Sequence, residues 1–421
     1  MNEKPSSILV QPLQIGPLTA NGRVFKTATS ETRATEDGFV SDELLDFYRP
    51  IVQAGTPLIV TGNLYVTEEG KSTYRMCGAD KMDKAQGLAR WADLAHEHGR
   101  LLFGQINHCG RQVLARAMGL ESAVSASDIG EKVMGTRPRP LSRDEVGQVV
   151  EAYVASAEVC EQAGFDGVQI HAGHGYLINQ FLTPYTNRRE DEYGGSFVKR
   201  MRLLLEIFWG IRERTNLAVI MKINGADYLP GRHGLSTAQL VEVARILQNE
   251  GLDAVEVTVG HYESGFPMIR GNFGPFFKGL MEEGIGDQLP WFRRWGVTWF
   301  RHPLAFMFDQ LWPAREGFNL GYARAFKAKL SIPVICVGGF LTREKMEQGV
   351  KDGVCDAVSV GRSMIADPFL FQHLMTGQKG PKCTFCNACI ARAGRLPVDC
   401  YDPEIKKEKD AMMENMALVS K

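Results

Sequence analysis

The sequence has no long hydrophobic run. None reaches the roughly 18 residues that a membrane-spanning helix needs, and the opening stretch MNEKPSSILV contains no apolar segment of signal-peptide length. Charge of one sign is also missing. With 48 Lys+Arg against 49 Asp+Glu, the formal net charge is −1, so no general attraction to nucleic acid or to an acidic membrane is expected. There is no Walker-type loop, and GHGYLI (173–178) lacks the third glycine of a dinucleotide fingerprint. The expected compartment is cytoplasmic. What is present, 421 residues of which 44% are hydrophobic and 23% charged, describes a protein with a large core.

Cysteine is sparse and unevenly spread. Cys77, Cys109, Cys160, Cys336 and Cys355 are scattered, mostly in apolar surroundings, and read as small buried hydrophobes. The other four form Cys383-x2-Cys386-x2-Cys389-x10-Cys400. Disulfides are not expected in a cytosolic chain, so this cluster is a metal candidate, for zinc or for iron–sulfur.

Short β-rich runs recur at 23–28, 57–62, 101–106, 167–171, 218–223, 253–258, 333–338 and 356–361. Between them, stretches such as 82–98, 142–163, 199–214, 236–250 and 342–351 carry apolar residues at helical spacing. Alternating strands and helices imply a parallel sheet. Eight repeats fit a closed (β/α)8 TIM barrel better than the alternative, an open doubly wound sheet. The barrel is expected over 1–376 and a short Cys-rich tail over 377–421. A long insertion after the sixth strand, 261–318, is too long for an ordinary βα loop. It holds Trp291, Trp295, Trp299 and Trp312.

In such barrels chemistry sits at the C-terminal ends of the strands. Those ends here carry Thr29 and Ser30, Gln105, His171, Lys222, Gly338-Gly339 and Gly361-Arg362. The last two loops suit a phosphate, because their glycines let backbone N–H groups approach closely and Arg362 adds a cation. The alternative is that they only make tight turns. The segment VQIHAGHGYLINQF (168–181) sets His171, His174 and Tyr176 among glycines after an apolar run. These rings either hold and protonate a substrate, or bind a metal with His108 or Glu256 as a further ligand, or are local hydrogen bonders.

PLQIGPLTANGRVF, GQINHCGRQ, GFDGVQIHAGHGYLINQFLTPYTNRREDEYGGS, VGGF and VGRSMIADP stand in this order. With them the chain resembles the Old Yellow Enzyme family of FMN-dependent oxidoreductases over roughly residues 8–376. The resemblance implies that Thr29 and Ser30 lie beside the flavin and Gly62 under it. Gln105 would bond the pyrimidine edge, and Lys222 would lie near N1 and the C2 carbonyl. Gly338, Gly339, Gly361 and Arg362 would hold the phosphate. Arginine is more usual at the Lys222 position; lysine keeps the charge but not the planar fork. The implied activity is an ene-reductase: hydride passes from NAD(P)H through FMN to an activated C=C bond in a ping-pong cycle. His171 and His174 would bind the carbonyl oxygen, and Tyr176 would protonate the α-carbon. Alternatives are dienoyl-CoA reduction, oxidative dehydrogenation or demethylation by the same flavin, and a redox-inactive or electron-transfer module built on the cysteines.

The tail resembles that of the 2,4-dienoyl-CoA reductase branch, where four cysteines hold a [4Fe–4S] cluster and an FAD- and NADP-binding domain follows. The sequence ends about twenty residues after Cys400, so that domain is expected to be missing, and a structural role is expected for the cysteines. Two of the spacings are each about one residue shorter than the branch pattern. That branch also has a proton-relaying histidine after strand six, where this sequence aligns Tyr262 as a substrate-facing residue. For the insertion, one reading buries its aromatics against the barrel. The other makes a greasy channel for a large apolar substrate, or a membrane-surface contact through 291–308 with Arg293, Arg294 and Arg301 at the headgroups. The expected partner is a small unsaturated molecule, without nucleic acid.

Overall fold

The computed structural model describes residues 7–229 and 234–419. Eight parallel strands close a barrel: β1 (Val24–Lys26), β2 (Leu58–Tyr65), β3 (Leu101–Asn107), β4 (Gly167–Ala172), β5 (Ala218–Asn224), β6 (Ala254–Thr258), β7 (Val334–Val337) and β8 (Ala357–Val360). All eight fall where the sequence predicts them, and β8 pairs with β1 to complete the ring. The order is that of a TIM barrel, not of an open sheet.

The period-2 alternation of a strand explains what fills the interior. Phe25, Leu58, Val60, Phe103, Ala218, Ile220, Ala254, Ile335 and Ala357 form one apolar cluster at the N-terminal end. The strands Leu13–Ile15 and Leu18–Ala20 pair antiparallel and supply Leu13, Ile15 and Ala20 to it. A Cβ on Gly167 would stand 1.9 Å from the Phe103 ring, so only glycine lets that ring occupy the floor. One step further along the same inward series come Thr27, Gln105, Gln169, Lys222 and Glu256. The barrel interior therefore changes from apolar to polar toward the C-terminal ends of its strands.

Outside, α1 (Asp42–Gln53), α2 (Ala85–His96), α3 (Arg143–Gln162), α4 (Arg202–Arg214) and α5 (Thr237–Asn249) cover β1 to β5. Their starts are written in the sequence. Ser41 caps α1, and α3 and α5 open on capping boxes, Ser142 with Glu145 and Ser236 with Gln239.

The insertion after β6 contains α6 (Phe273–Glu282) and α7 (Trp291–Leu311) before the barrel resumes with α8 (Leu320–Lys327). Helix α7 kinks at Phe300 (φ −108°, ψ 17°), three residues before Pro303, whose ring lacks an N–H and crowds the preceding turn. Phe273, Phe276, Phe277, Ala305 and Trp312 make a small core of their own with Ala391 of the tail. The expectation that the insertion's aromatics bury themselves is corrected here. Trp312 is buried, but Trp291, Trp295 and Trp299 are 80%, 56% and 71% exposed, because they occupy the side of α7 turned away from that core. No helix among the described residues is long and apolar enough to cross a membrane.

Helix α9 (Arg343–Lys351) joins β7 to β8, and after β8 the chain forms a short helix (Arg362–Ala366), α10 (Leu370–Thr376) and a tail that ends in α11 (Pro403–Val419). The tail is joined to the loop after β1. The Val398 amide donates to the Glu31 carbonyl at 2.7 Å, the Gly394 amide to Thr32 Oγ1 at 3.1 Å, and Arg33 to the Val398 carbonyl at 2.8 Å.

Candidate active site

At the polar end of the barrel a hydrogen-bond chain crosses the interior. Gln105 donates to Gln169, Gln169 donates to Glu256 Oε2 at 2.7 Å, and Thr27 donates to Glu256 Oε1 at 2.6 Å. Lys222 Nζ donates to Thr27 Oγ1 at 3.0 Å and lies 3.4 Å from Glu256. Every member is buried. Burial drives the Lys222 amine below its ordinary value, and Glu256 opposes that shift. Glu256 is thus a counter-ion and not a metal ligand. Sequence reasoning missed the roles of Thr27 and Gln169, although their alternate spacing with Phe25 and Gly167 marks both as interior.

Above this chain lies a cavity of about 270 Å³ lined by Thr29, Ser30, Gln105, Lys222, Gly339, Gly361 and Arg362, among others. Gly339 has φ +68°, and a Cβ on Gly338 would stand 2.9 Å from the Asn319 amide nitrogen, so both glycines are required by backbone geometry. Arg362 donates to the Arg270 carbonyl at 2.8 Å and to Asn387, and its guanidinium lies 4.9 Å from the Phe385 ring centre. Tail residues therefore hold the arginine expected at a phosphate. Gly62 and Gly338 are not among the lining residues. A Cβ on Gly62 would meet Glu31 Oε2 at 1.9 Å and the Thr29 carbonyl at 2.4 Å. Glu31, also missed, accepts from the Gly62 amide at 2.6 Å and from Tyr48. Burial raises its carboxyl, while burial lowers the neighbouring Lys26 amine to about 8.

His171, His174, Tyr176 and Tyr262 come together at one wall of this cavity. The His171 ring centre is 5.1 Å from that of His174 and 4.8 Å from that of Tyr176, both edge-on. The Tyr176 and Tyr262 hydroxyls are 3.1 Å apart. The Gly173 amide donates to His171 Nδ1 at 3.2 Å, which leaves the proton of a neutral ring on Nε2. His174 Nε2 lies 2.7 Å from Thr258 Oγ1. Burial holds both imidazoles neutral, His171 well below its ordinary range and His174 at about 3. Burial likewise pushes both phenols up, Tyr176 the further. His174 has φ +57°, a left-handed backbone that costs a non-glycine residue about 1 kcal/mol or more. The surroundings over-determine it. Its amide donates to Asn224 Oδ1 at 3.0 Å, and its carbonyl accepts from Gln112 at 2.7 Å.

A second cavity of about 800 Å³ adjoins the first and shares Ser30, Asn63, His174, Tyr176 and Tyr262 with it. Its remaining wall is mostly apolar, with Phe266, Phe276, Phe277 and Leu280 from the insertion, and Val297 and Leu304 from the inner side of α7. His108, offered as a metal ligand by the sequence, is fully buried and its Nδ1 accepts from the Gly110 amide. The four tail cysteines gather near Arg362: Cys383, Cys389 and Cys400 join the cluster of Ile365, Ala366 and Val398, and Cys389 also lines the first cavity. None is in a disulfide, and among the described residues no three His, Cys, Asp or Glu side chains are arranged to hold a metal ion.

A closed parallel barrel with a polar pocket at its strand ends is a TIM barrel with a pocket at the end where such barrels carry their sites. Residues 8–277 match the NADH:flavin oxidoreductase / NADH oxidase family, and the chain belongs to that family. Residues 316–417 also match the dihydrouridine synthase family, a likeness confined to that part. The chain is 30% identical over 400 residues to a metal reductase of Desulforamulus reducens, covering 94% of this chain and 53% of that protein. It thus spans about half the length of that relative. Two solved structures share the fold. One is a complex of 2-naphthoyl-CoA reductase with 2-naphthoyl-CoA (TM-score 0.78, 23% identity, 96% of this chain and 58% of that chain). The other is an old yellow enzyme homologue from Zymomonas mobilis (TM-score 0.69, 22% identity, 96% and 99%).

Proposed function

We propose that this chain is an FMN-dependent NAD(P)H oxidoreductase that reduces the activated C=C bond of a large, mainly apolar α,β-unsaturated carbonyl compound. The observation that carries the reading is the seam between the two cavities. Two neutral imidazoles and two phenols sit there, between a polar pocket and an 800 Å³ apolar one. The polar pocket suits FMN: hydroxyls and amides line it, with Lys222 in one wall and the close-packed glycines of the β7 and β8 loops in another. Gln105 and Lys222 would hold the ring edge, and Gly339, Gly361 and Arg362 the phosphate. When bound, FMN supplies a two-electron carrier that accepts and returns hydride.

The chain's own residues do the rest. Lys222, beside Glu256, is placed to favour negative charge at the edge it faces. His171 and His174 donate hydrogen bonds to the carbonyl oxygen and so withdraw electrons from the conjugated bond. Tyr176 keeps its proton at neutral pH and gives it to the α-carbon, with Tyr262 adjacent to restore it. The apolar cavity excludes water and accepts the bulk of the substrate. NAD(P)H and the alkene would use this space in turn, which gives ping-pong kinetics. An iron–sulfur cluster or zinc at Cys383, Cys386, Cys389 and Cys400 is not part of the proposal. Their arrangement does not present three ligands to one ion, and the role we give them is packing against the β8 loop.

The test is anaerobic. Purified protein reconstituted with FMN should bleach on NAD(P)H and recover colour with enones, most rapidly with polycyclic ones. A protein that cannot take up FMN would overturn the reading.

A further inference from the structure

Helix α7 has two unlike sides. Val297 and Leu304 face the large cavity. Trp291, Trp295 and Trp299, four residues apart and so on one side of the helix, face outward with Phe306, which is 68% exposed. Isolated exposed apolar residues need no explanation, but contiguous ones mark a binding surface. The residue types identify the partner. Between Asp287 and Asp309 the sequence has no carboxylate, while it has Arg293, Arg294, Arg301 and His302. Asp309 turns away to accept from the Phe273 amide at 2.7 Å. Arg293 donates inward to the Val133 carbonyl at 2.8 Å, and Arg301 lies 3.8 Å from Glu282. Arg294 is exposed and makes no ion pair among the described residues.

Tryptophan rings flanked by guanidinium groups match the headgroup region of a bilayer, where an amphipathic ring and a cation each find their preferred depth. A two-fold contact with a second copy would offer Arg294 no carboxylate from residues 288–308. We infer that α7 is a membrane-surface element that rests its Trp291–Trp295–Trp299 side on an anionic phospholipid bilayer, while its other side walls the apolar cavity.

The experiment is vesicle flotation of the full flavin-loaded protein. It uses phosphatidylcholine alone and phosphatidylcholine mixed with phosphatidylglycerol. The protein should float with the mixed vesicles and about tenfold less with the neutral ones. Its tryptophan emission should shift to the blue and be quenched by brominated lipid. Trp291→Ser/Trp295→Ser/Trp299→Ser should abolish flotation at unchanged flavin content. Arg294→Glu, a milder change that needs no refolding of the apolar side, should weaken binding to the mixed vesicles only. Absence of flotation and quenching in active protein would overturn the inference. So would a concentration-dependent dimer, lost in the triple variant, without vesicle binding.

Discussion

The two cavities that meet at Tyr176 are built in opposite ways. The smaller is made of strand ends, and its side chains are fixed by pairing register: His171 stands opposite Lys222, which stands opposite Glu256. The larger is walled by helices of the insertion, a stretch of the tail and the barrel loops around 72–74, 112–118 and 132–134, and most of its lining is apolar. Register is specific to one residue, since a slip of one would turn each of these groups outward. Apolar contact tolerates substitution as long as volume is kept. Chemistry should therefore be rigid and selectivity plastic, and substitutions on the two sides of the seam should behave differently.

The sharpest break comes at the seam. Tyr176→Phe should slow alkene reduction by roughly 10²–10⁴-fold, the usual worth of a positioned acid, while flavin reduction by NAD(P)H stays near normal in stopped flow. An unchanged alkene rate would move the proton source to Tyr262 or water. Next in size is Lys222→Met, which leaves Glu256 buried without its cation. It should cost about 3–5 kcal/mol in denaturant unfolding, and Lys222→Met/Glu256→Gln should recover much of that. Gly62→Ala on the polar side should cost about 1–3 kcal/mol and lower FMN affinity, because the new methyl meets the Thr29 carbonyl as well as Glu31. On the apolar side, Val297→Trp should leave the rate with a small cyclic enone unchanged and raise KM for a polycyclic one about tenfold, the effect of about 1.4 kcal/mol. Equal losses with both substrates would mean that the larger cavity does not receive the substrate.

The pH dependence of stability tests the buried histidines together. Burial depresses His108 and His174 to about 3 in the folded chain and holds His171 well below its ordinary value. The unfolded chain takes up these protons below about pH 6.5 and the folded chain does not, so stability falls as pH drops through that value. Each such histidine contributes about 1.4 kcal/mol per pH unit. Thermal melts from pH 7 to 5 should show this slope, and His108→Gln should make it shallower.

The barrel was legible because its strands are short apolar runs bounded by turns, and their end residues follow from counting. Helix α1 was visible but unread: Ser41 followed by Asp42 and Glu43 is a cap with an acidic first turn. The polar chain under the pocket was half visible, since Lys222 and Gln105 were found but Thr27, Gln169 and Glu31 were not. A glutamine or threonine inside an apolar run reads as an ordinary strand residue until its neighbours across the sheet are known. The insertion was least legible. Its composition allowed buried aromatics, a channel or an outward face, and only the kinked path of α7 shows that the inner side lines a cavity while the tryptophans point out.

The three hydrogen bonds that bind the tail to the loop after β1 have a practical consequence. That loop supplies Thr29 and Ser30 to the pocket, and Asn387 and Phe385 hold Arg362 at its other end. A truncation before Phe385 would therefore loosen both ends of the pocket at once, and one between Asn387 and Gly394 the end at β1 alone. Yellow colour retained on a column by the FMN-loaded protein would report whether the stretch from Phe385 to Val398 is intact.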